Sequence, residues 1–159
     1  MERPEHRLQN VAERMRAEGY RITPQRIAIL HVLLHRHDHP TAEDIYQQVA
    51  TRFPMMSRAT VYKTLNVLAA LGEVVNLQVE ACSHYEANIA PHPHMTCVKC
   101  HNIVDLPSDV MPELPEHILA GTGFRIIAYD FQVLGLCPRC RMQREEPVDK
   151  SNQRKENPE

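Results

Sequence analysis

Four of the five cysteines fall into two pairs whose spacing suits a bound metal ion. Cys97 and Cys100 form one pair and Cys137 and Cys140 the other, with 36 residues between the pairs. Each CxxC turn places two sulfurs on the same side of the chain, so two turns supply the four thiolates of a tetrahedral structural zinc site. A redox-active pair of dithiols would have the same spacing and is the alternative. Cys82 stands apart, and we expect it to pack as a small side chain.

A second pattern imitates a catalytic site. His84-Tyr-Glu86, followed by the first cysteine pair, resembles the H-x-E and C-x-x-C signature of zinc deaminases. Thr96, however, stands where those enzymes have proline, and only ten residues separate Glu86 from Cys97. The second cysteine pair would also have no role in such an enzyme. The sequence therefore favours a four-cysteine zinc site over a deaminase.

The first half of the chain has the periodicity of α-helices, with recognisable start and stop residues. Thr23 before proline, the Pro-Thr-Ala-Glu-Asp run from residue 40 and Ser57 predict helix starts, whereas Gly19 and Gly72 predict helix ends. The predicted helices cover residues 7–17, 24–35, 41–53 and 58–71, and β-like stretches at 73–79 and 84–89 follow as a hairpin. This order is that of a winged helix-turn-helix domain, here residues 1–89.

The second half has a different character. After a proline-rich hinge at residues 90–94, short strands are predicted at 95–97, 102–106 and 125–134, with a helix near 113–120. The tail at residues 141–159 has almost no apolar residues and is expected to be disordered. The predicted fold class is therefore α+β, with a winged helix-turn-helix domain followed by a small α/β domain over residues 95–140.

Charge is distributed unevenly, although the formal net charge is only -2. Residues 1–72 hold ten basic and seven acidic side chains, whereas residues 73–140 hold three and eight. A mildly basic first half suits nucleic acid, and an acidic second half suits cations. No run approaches the roughly 18 apolar residues of a transmembrane helix, and the polar start lacks the apolar stretch of a signal peptide. We therefore expect a cytosolic protein that has no membrane partner.

Five segments together resemble the ferric uptake regulator (Fur) family of bacterial repressors. The segments are RITPQR at 21–26, HPTAEDIY at 39–46, ATVYKTL at 59–65, H-x-H-x-x-C-x-x-C at 92–100 and C-x-x-C at 137–140. They occur in the family's order. The resemblance implies a homodimeric, metal-sensing transcription factor rather than an enzyme, with an N-terminal winged-helix domain that binds double-stranded operator DNA and a C-terminal dimerisation domain.

The fourth predicted helix carries the residues expected to read DNA. A helix in the major groove needs a cation for phosphate or guanine and a flat apolar face for thymine methyl groups, and Arg58, Tyr62 and Lys63 provide these within two turns. The resemblance assigns further DNA contacts to Thr60 and, near the end of the first helix, to Arg16. Lys63 stands where many iron-sensing members have arginine, so we expect it to hold a phosphate rather than read guanine.

The resemblance also implies a regulatory metal site made of nitrogen and oxygen donors. Its positions correspond in this chain to His39, Glu86, His92, His94 and Asp105. His92 and His94 alternate on an extended segment, so both imidazoles point the same way. Such a mixed donor set suits iron(II), manganese(II) or zinc. His39 is expected to be the one ligand from the DNA-binding half, so a bound metal would connect the two halves of the protein.

Glu86 distinguishes the branches of the family. Zinc-uptake regulators typically have cysteine at this position and peroxide sensors have aspartate, whereas glutamate matches the iron regulators. His39 and His92, in contrast, occupy the positions that the peroxide sensors oxidise through bound iron(II). The sequence therefore predicts a repressor that controls either metal homeostasis or the peroxide-stress response.

Overall fold

The structure, a computed structural model, describes residues 3–79, 82–110, 121–125 and 131–142. Within these ranges, helices and a hairpin form an N-terminal unit, and a three-stranded sheet follows. The helices are α1 (Pro4–Ala17), α2 (Pro24–Leu34), α3 (Ala42–Ala50), α4 (Arg58–Ala70) and α5 (Pro138–Met142). The strands are β1 (Val75–Val79), β2 (Cys82–Glu86), β3 (His94–Cys97), β4 (Ile103–Asp105) and β5 (Gln132–Gly135), and a 3-10 turn (Ser108–Val110) follows β4.

Local sequence signals set the ends of the N-terminal helices. The side chains of Thr23 and Ser57 each accept a hydrogen bond from the backbone N–H three residues later, and Thr41 forms a capping box with Asp44. Glycines with positive φ follow α1 and α4, where they end the helices. The four predicted helices are confirmed, although α1 begins three residues earlier than predicted and α3 ends three residues earlier.

The apolar faces of the four N-terminal helices pack into one core. The residues at its centre are wholly buried and come from α2, α3 and α4: Ile29, Leu33, Ile45, Val61 and Leu65. Burying such a side chain contributes about 1.5–3 kcal/mol relative to leaving it in water. This core fixes the angle between α3 and α4, and it leaves the opposite face of α4 in solvent.

A buried carboxylate fastens α1 to the rest of the N-terminal unit. Glu73, in the turn between α4 and β1, is only 8% exposed, and Arg14 Nη1 lies 2.6 Å from its Oε1. Arg7 donates a further hydrogen bond to the backbone carbonyl of Glu73. The helix that carries Arg16 is therefore held in place on the domain, with Arg16 itself exposed.

Two separate sheets position the donor residues described below. β1 and β2 pair antiparallel as the predicted hairpin, and β3 lies between β4, its antiparallel neighbour, and β5, its parallel neighbour. The predicted α+β fold class, with helices and a hairpin before a small sheet, is confirmed. No helix in the described parts of the chain is long and apolar enough to cross a membrane.

Some predictions fall outside the described residues. The helix near 113–120 and the tail from residue 143 onward belong to this group. The tail was expected to start at residue 141, but α5 continues to Met142 because the backbone N–H of Arg141 donates to the carbonyl of Cys137. Arg141 and Met142 therefore belong to α5, and the rest of the predicted tail lies outside the described residues.

Candidate metal centres

The register of the three-stranded sheet brings the paired cysteines together. Cys97 ends β3 and is the parallel partner of Gly135, which ends β5, so the two CxxC turns leave the same edge of the sheet. The four Sγ atoms lie within 4.8 Å of one another, and those of Cys100 and Cys137 are 3.7 Å apart. A tetrahedral site with zinc–sulfur bonds of about 2.3 Å places its sulfurs about 3.8 Å apart. The spacing of this cysteine cluster fits zinc.

Backbone N–H groups favour ionised sulfur in the cysteine cluster. The N–H of Cys137 donates to Cys97 Sγ at 3.4 Å, and the N–H of Cys140 donates to Cys137 Sγ at 3.5 Å. The hydrogen bonds from the backbones of Cys137 and Cys100 lower the pKa of Cys97 to about 6, whereas burial raises the pKa of Cys140 to about 12. A bound zinc ion would favour the thiolate form of the cysteines that ligate it.

The five nitrogen and oxygen donors converge where the hairpin meets the second sheet. Their ligand atoms lie within 4.8 Å of one another, and we call this group the regulatory cluster: His39, Glu86, His92, His94 and Asp105. The antiparallel register of β3 and β4 sets two members opposite each other, because His94 pairs with Asp105. Glu86 ends β2, and His39 lies in the turn between α2 and α3. Four separate backbone segments thus contribute to one small volume.

Two carboxylates lie between the three imidazoles of the regulatory cluster. Glu86 Oε1 is 3.1 Å from His92 Nε2, and Glu86 Oε2 is 3.1 Å from His94 Nε2. Asp105 Oδ1 is 2.8 Å from His39 Nε2 and 3.4 Å from His92 Nε2. Each histidine therefore presents Nε2, and the two carboxylates supply the negative charge that a divalent cation would neutralise.

Two ring nitrogens of the regulatory cluster, the Nε2 atoms of His39 and His92, are available to bind a metal ion. His39 Nε2 makes no hydrogen bond with any described residue, although Asp105 Oδ1 lies 2.8 Å away. His92 donates from Nδ1 to the Ala90 carbonyl at 2.7 Å, which leaves its buried Nε2 as a lone pair without a hydrogen-bond partner in the described chain. Such a hydrogen bond from the outer nitrogen is typical of metal-binding histidines. A bound metal ion would satisfy both nitrogens.

The pKa values of His39 and His92 are shifted in opposite directions. Burial lowers the pKa of His39, although Asp105 and Glu86 oppose the shift. Burial also lowers the pKa of His92, but the hydrogen bond to Ala90 and the two carboxylates outweigh it, so that this pKa is raised overall. His39 therefore stays neutral to lower pH, in the form that binds a metal ion.

The structure differs from expectation in the origin of one donor. Glu86 was expected to come from the hinge and dimerisation half, but it is the last residue of β2 and pairs with Val75 of β1. The hairpin belongs to the N-terminal unit, because Tyr85 packs into the core of the helices. The N-terminal unit therefore contributes two donors, His39 and Glu86, and the following segments contribute three.

The predicted DNA-reading residues lie on one exposed face of α4 and at the end of α1. Tyr62 is 49% exposed, and Lys63 and Arg16 are also in solvent. Thr60 is half-buried, and its hydroxyl lies 3.0 Å from that of Ser57 at the start of α4. These positions leave Tyr62 and Lys63 side by side on the face of α4 opposite the core.

Arg58 has partners that the sequence did not reveal. Its guanidinium forms two hydrogen bonds with Glu43 of α3, at 2.7 and 2.8 Å, and lies 4.5 Å from the ring centroid of Tyr46. These contacts raise the pKa of Arg58 and lower that of Glu43. Glu43 and Tyr46 lie three residues apart on one face of α3, so both side chains can contact the same guanidinium.

The geometry also separates the parts of the deaminase-like pattern. Glu86 belongs to the regulatory cluster with three histidines, whereas Cys97 and Cys100 group with the other cysteine pair. His84 belongs to neither group of donors and contacts the backbone of His39. Cys82, which we expected to pack as a small side chain, is exposed on β2.

Comparisons with known proteins agree with this arrangement. Residues 17–134 match the Ferric uptake regulator family. The chain is 35% identical over 145 residues to the peroxide-responsive repressor PerR of Staphylococcus epidermidis, and the match covers 89% of this chain and 95% of that protein.

Solved structures extend the likeness to the fold. The Campylobacter jejuni peroxide stress regulator superimposes with a TM-score of 0.63 at 30% identity, covering 84% of this chain and 98% of that one. The Francisella tularensis ferric uptake regulator with iron gives 0.67 at 27% identity, covering 77% and 96%. The family model matches most of the sequence, and the Staphylococcus epidermidis repressor is about one third identical along nearly its whole length. The chain therefore belongs to the ferric uptake regulator family.

Proposed function

We propose that the protein is a metal-dependent transcriptional repressor that binds double-stranded operator DNA as a homodimer. The observation that carries the proposal is the regulatory cluster, in which five donor atoms from four backbone segments lie within 4.8 Å of one another. Three buried imidazole nitrogens in it, His39 Nδ1, His39 Nε2 and His92 Nε2, have no hydrogen-bond partner among the described residues, and the two Nε2 atoms lie beside the carboxylates of the cluster. Such a group is costly to maintain without an ion to satisfy it.

The two groups of donors are assigned different metals. Cys97, Cys100, Cys137 and Cys140 hold a structural zinc ion, because four thiolates suit zinc and leave no open position. The regulatory cluster holds iron(II) or manganese(II), or zinc in their absence, because imidazoles and carboxylates are their ordinary ligands. Several family relatives carry names that refer to iron, manganese or peroxide, which supports this assignment.

The switch follows from the origin of the donors. His39 and Glu86 come from the unit that carries α4, and His92, His94 and Asp105 come from the hinge and the second sheet. A metal ion bound by all five holds these parts in one arrangement. If that arrangement spaces the two α4 helices of a dimer to match two half-sites, metal binding and DNA binding favour the same state.

The proposed DNA surface consists of Arg16, Arg58, Thr60, Tyr62 and Lys63. Tyr62 is assigned to base edges and Lys63 to a phosphate. Tyr62→Ala should then weaken specific binding by about 1–3 kcal/mol, while Lys63→Ala should weaken all sequences alike and reduce the salt dependence. Equal losses on specific and random DNA for both variants would contradict this division.

The proposal is tested by measuring DNA binding while the metal supplied to the protein is changed. Purified protein is analysed for zinc, and operator binding is then measured without added metal and with Fe(II), Mn(II) or Zn(II). We expect one zinc per protomer at the start and tight binding to DNA only after the second metal is added. Equal affinity for operator DNA under all conditions would contradict a metal-dependent repressor. A zinc-free protein that cycles disulfides would support the thiol redox alternative instead.

A response to peroxide is the second part of the proposal. It is favoured by the similarity to peroxide-responsive repressors and by the position of His39 and His92 around the same oxygen of Asp105, at 2.8 and 3.4 Å. Iron(II) in the cluster would promote cleavage of the O–O bond of peroxide; one oxygen would be added to an imidazole carbon, which is oxidised by two electrons, and the other would leave as water. We expect peptide mass spectrometry after peroxide treatment to find one added oxygen on His39 or His92 in the iron form but not in the manganese form. Unmodified histidines in both forms would leave a regulator of metal homeostasis.

A further inference from the structure

His39 has an unusual backbone for a residue that must point a ring at a metal ion. Its φ is 51°, in the left-handed region that residues other than glycine rarely adopt. Such a conformation persists only where neighbouring structure holds it. His39 is also 3% exposed, so its ring has little freedom to adjust if the backbone moves.

The second hairpin strand, β2, holds this backbone. His84 Nδ1 lies 2.7 Å from the His39 carbonyl oxygen, and the backbone N–H of Tyr85 donates to the Pro40 carbonyl at 2.9 Å. Thr41 and His84 form an isolated antiparallel bridge. Because a carbonyl oxygen only accepts hydrogen bonds, Nδ1 of His84 must carry the hydrogen.

We propose that His84 is a positioning residue of the regulatory cluster: its Nδ1–H holds the His39 carbonyl and thereby fixes the backbone that aims the His39 ring at the other donors. This inference rests on the proposed metal-binding function. His84 is two residues from Glu86 on the same strand, so β2 supplies one donor directly and sets the backbone of another. The separation of His39 Nε2 and Glu86 Oε2, 3.9 Å, is therefore determined within one short stretch of structure.

Substitutions at His84 separate the hydrogen bond from mere packing. In asparagine the amide nitrogen occupies the place of Nδ1, whereas in glutamine it occupies the place of Nε2. We therefore compare His84→Asn, His84→Gln and His84→Ala with the parent. Each protein is loaded with zinc, and its zinc content confirms that the cysteine cluster is intact. Mn(II) is then titrated alone, and free Mn(II) is measured by electron paramagnetic resonance.

We expect the parent and His84→Asn to bind Mn(II) with equal affinity. His84→Gln and His84→Ala should bind it about tenfold more weakly, which is the lower end of the effect that residues behind the metal ligands have on metal affinity. Parent-like binding by His84→Ala would overturn this role alone. His84→Asn as weak as His84→Ala would also overturn it, because packing or direct coordination by the ring would then explain the loss. Failure of the parent to bind Mn(II) would overturn the metal-binding function together with this role.

A second measurement needs no regulatory metal. Nitrogen-15 NMR of the zinc-loaded protein before Mn(II) is added should show His84 with its hydrogen on Nδ1. Exchange of the Tyr85 amide hydrogen should be slow in the parent and in His84→Asn and faster in His84→Ala, because the loop at His39 loses one of its contacts with β2. A His84 ring without a hydrogen on Nδ1, that is, a neutral ring with its hydrogen on Nε2 alone, would contradict the proposed hydrogen bond.

Discussion

The cysteine cluster and the regulatory cluster show two ways of building a metal site from the same sheet. The cysteines lie at or after the ends of two adjacent strands, β3 and β5, whose parallel pairing already sets the two turns side by side. The regulatory donors come from four segments, and two of them belong to the helical unit. A site within one unit stabilises that unit, whereas a site shared by two units reports how the units are arranged. The difference in origin therefore separates a structural role from a sensing role.

The largest effect should follow from breaking the cysteine cluster. Cys137→Ser removes one proposed ligand, and because metal binding at such a site is coupled to folding, the second sheet should lose its zinc and the proposed dimer should dissociate or unfold. Zinc analysis and mass in solution measure this. Cys82→Ser is the matched control, because Cys82 is exposed on β2 and lies outside the cluster. A zinc-replete, stable Cys137→Ser dimer would remove the structural role.

Loss of a regulatory donor should leave the fold intact. His39→Ala is expected to keep its zinc and its dimer but to lose the metal dependence of operator binding. At about 100 times its Kd, the regulatory metal should add about 2.7 kcal/mol to the stability of the parent, and this gain should disappear in the variant. Metal titrations followed by thermal unfolding and by operator binding measure both effects.

His37→Ala is the control for His39→Ala, because His37 is an exposed histidine of the same loop that is not in the regulatory cluster. It should behave as the parent does. A His39→Ala protein that still responds to metal would show that the connection between the two units does not depend on this donor. The regulatory cluster would then not sense how the two units are arranged.

The two carboxylates should differ in strength. The side chain of Glu86 is 8% exposed and that of Asp105 is 43% exposed, so solvent screens the charge of Asp105 more strongly. Mn(II) affinity should fall by about a hundredfold in Glu86→Gln and by about tenfold in Asp105→Asn, since a buried charge interacts several times more strongly with the ion. Equal losses would indicate that metal binding excludes water from Asp105 as well.

The smallest effect should come from shortening Glu86 while its charge is kept. Glu86→Asp introduces the residue that peroxide sensors have at this position. We expect its Mn(II) affinity to stay within about tenfold of that of the parent, because the carboxylate is retained. Oxidation of His39 or His92 by peroxide in the iron form should become faster. Peptide mass spectrometry over a time course measures the rate. A variant that is oxidised more slowly than the parent would show that the longer side chain is not what limits the reaction.

Much of this organisation could be predicted from the sequence, because the signals are local. Caps and periodicity predicted the four helices, and the CxxC spacing indicated a four-thiolate site without knowledge of the strands. The five regulatory donors required the family resemblance, since a histidine at position 39 has no local feature that connects it with residues more than 40 positions later. Only the pairing of β3 with β4 and the contact of β2 with the turn at His39 bring them together.

Contacts between exposed side chains were beyond prediction. Nothing in the sequence near Arg58 indicates that its guanidinium contacts α3, because the packing angle of α3 and α4 decides whether Glu43 is within reach. The left-handed backbone of His39 was missed for a related reason, since glycine and asparagine are the usual signals for it. Glu86 was counted with the hinge and dimerisation half, although the predicted winged-helix domain at residues 1–89 already included the hairpin that carries it.

One short strand, β3, carries donors of both clusters, and this has a consequence for assembly. β3 begins at His94 and ends at Cys97, so its four residues carry a donor of each cluster at opposite ends, about 10 Å apart at 3.3 Å per residue. Zinc in the cysteine cluster would join the ends of β3 and β5, in addition to the backbone pairing of these two strands. We therefore expect a protomer that lacks zinc to hold His94 less firmly and to bind the regulatory metal more weakly.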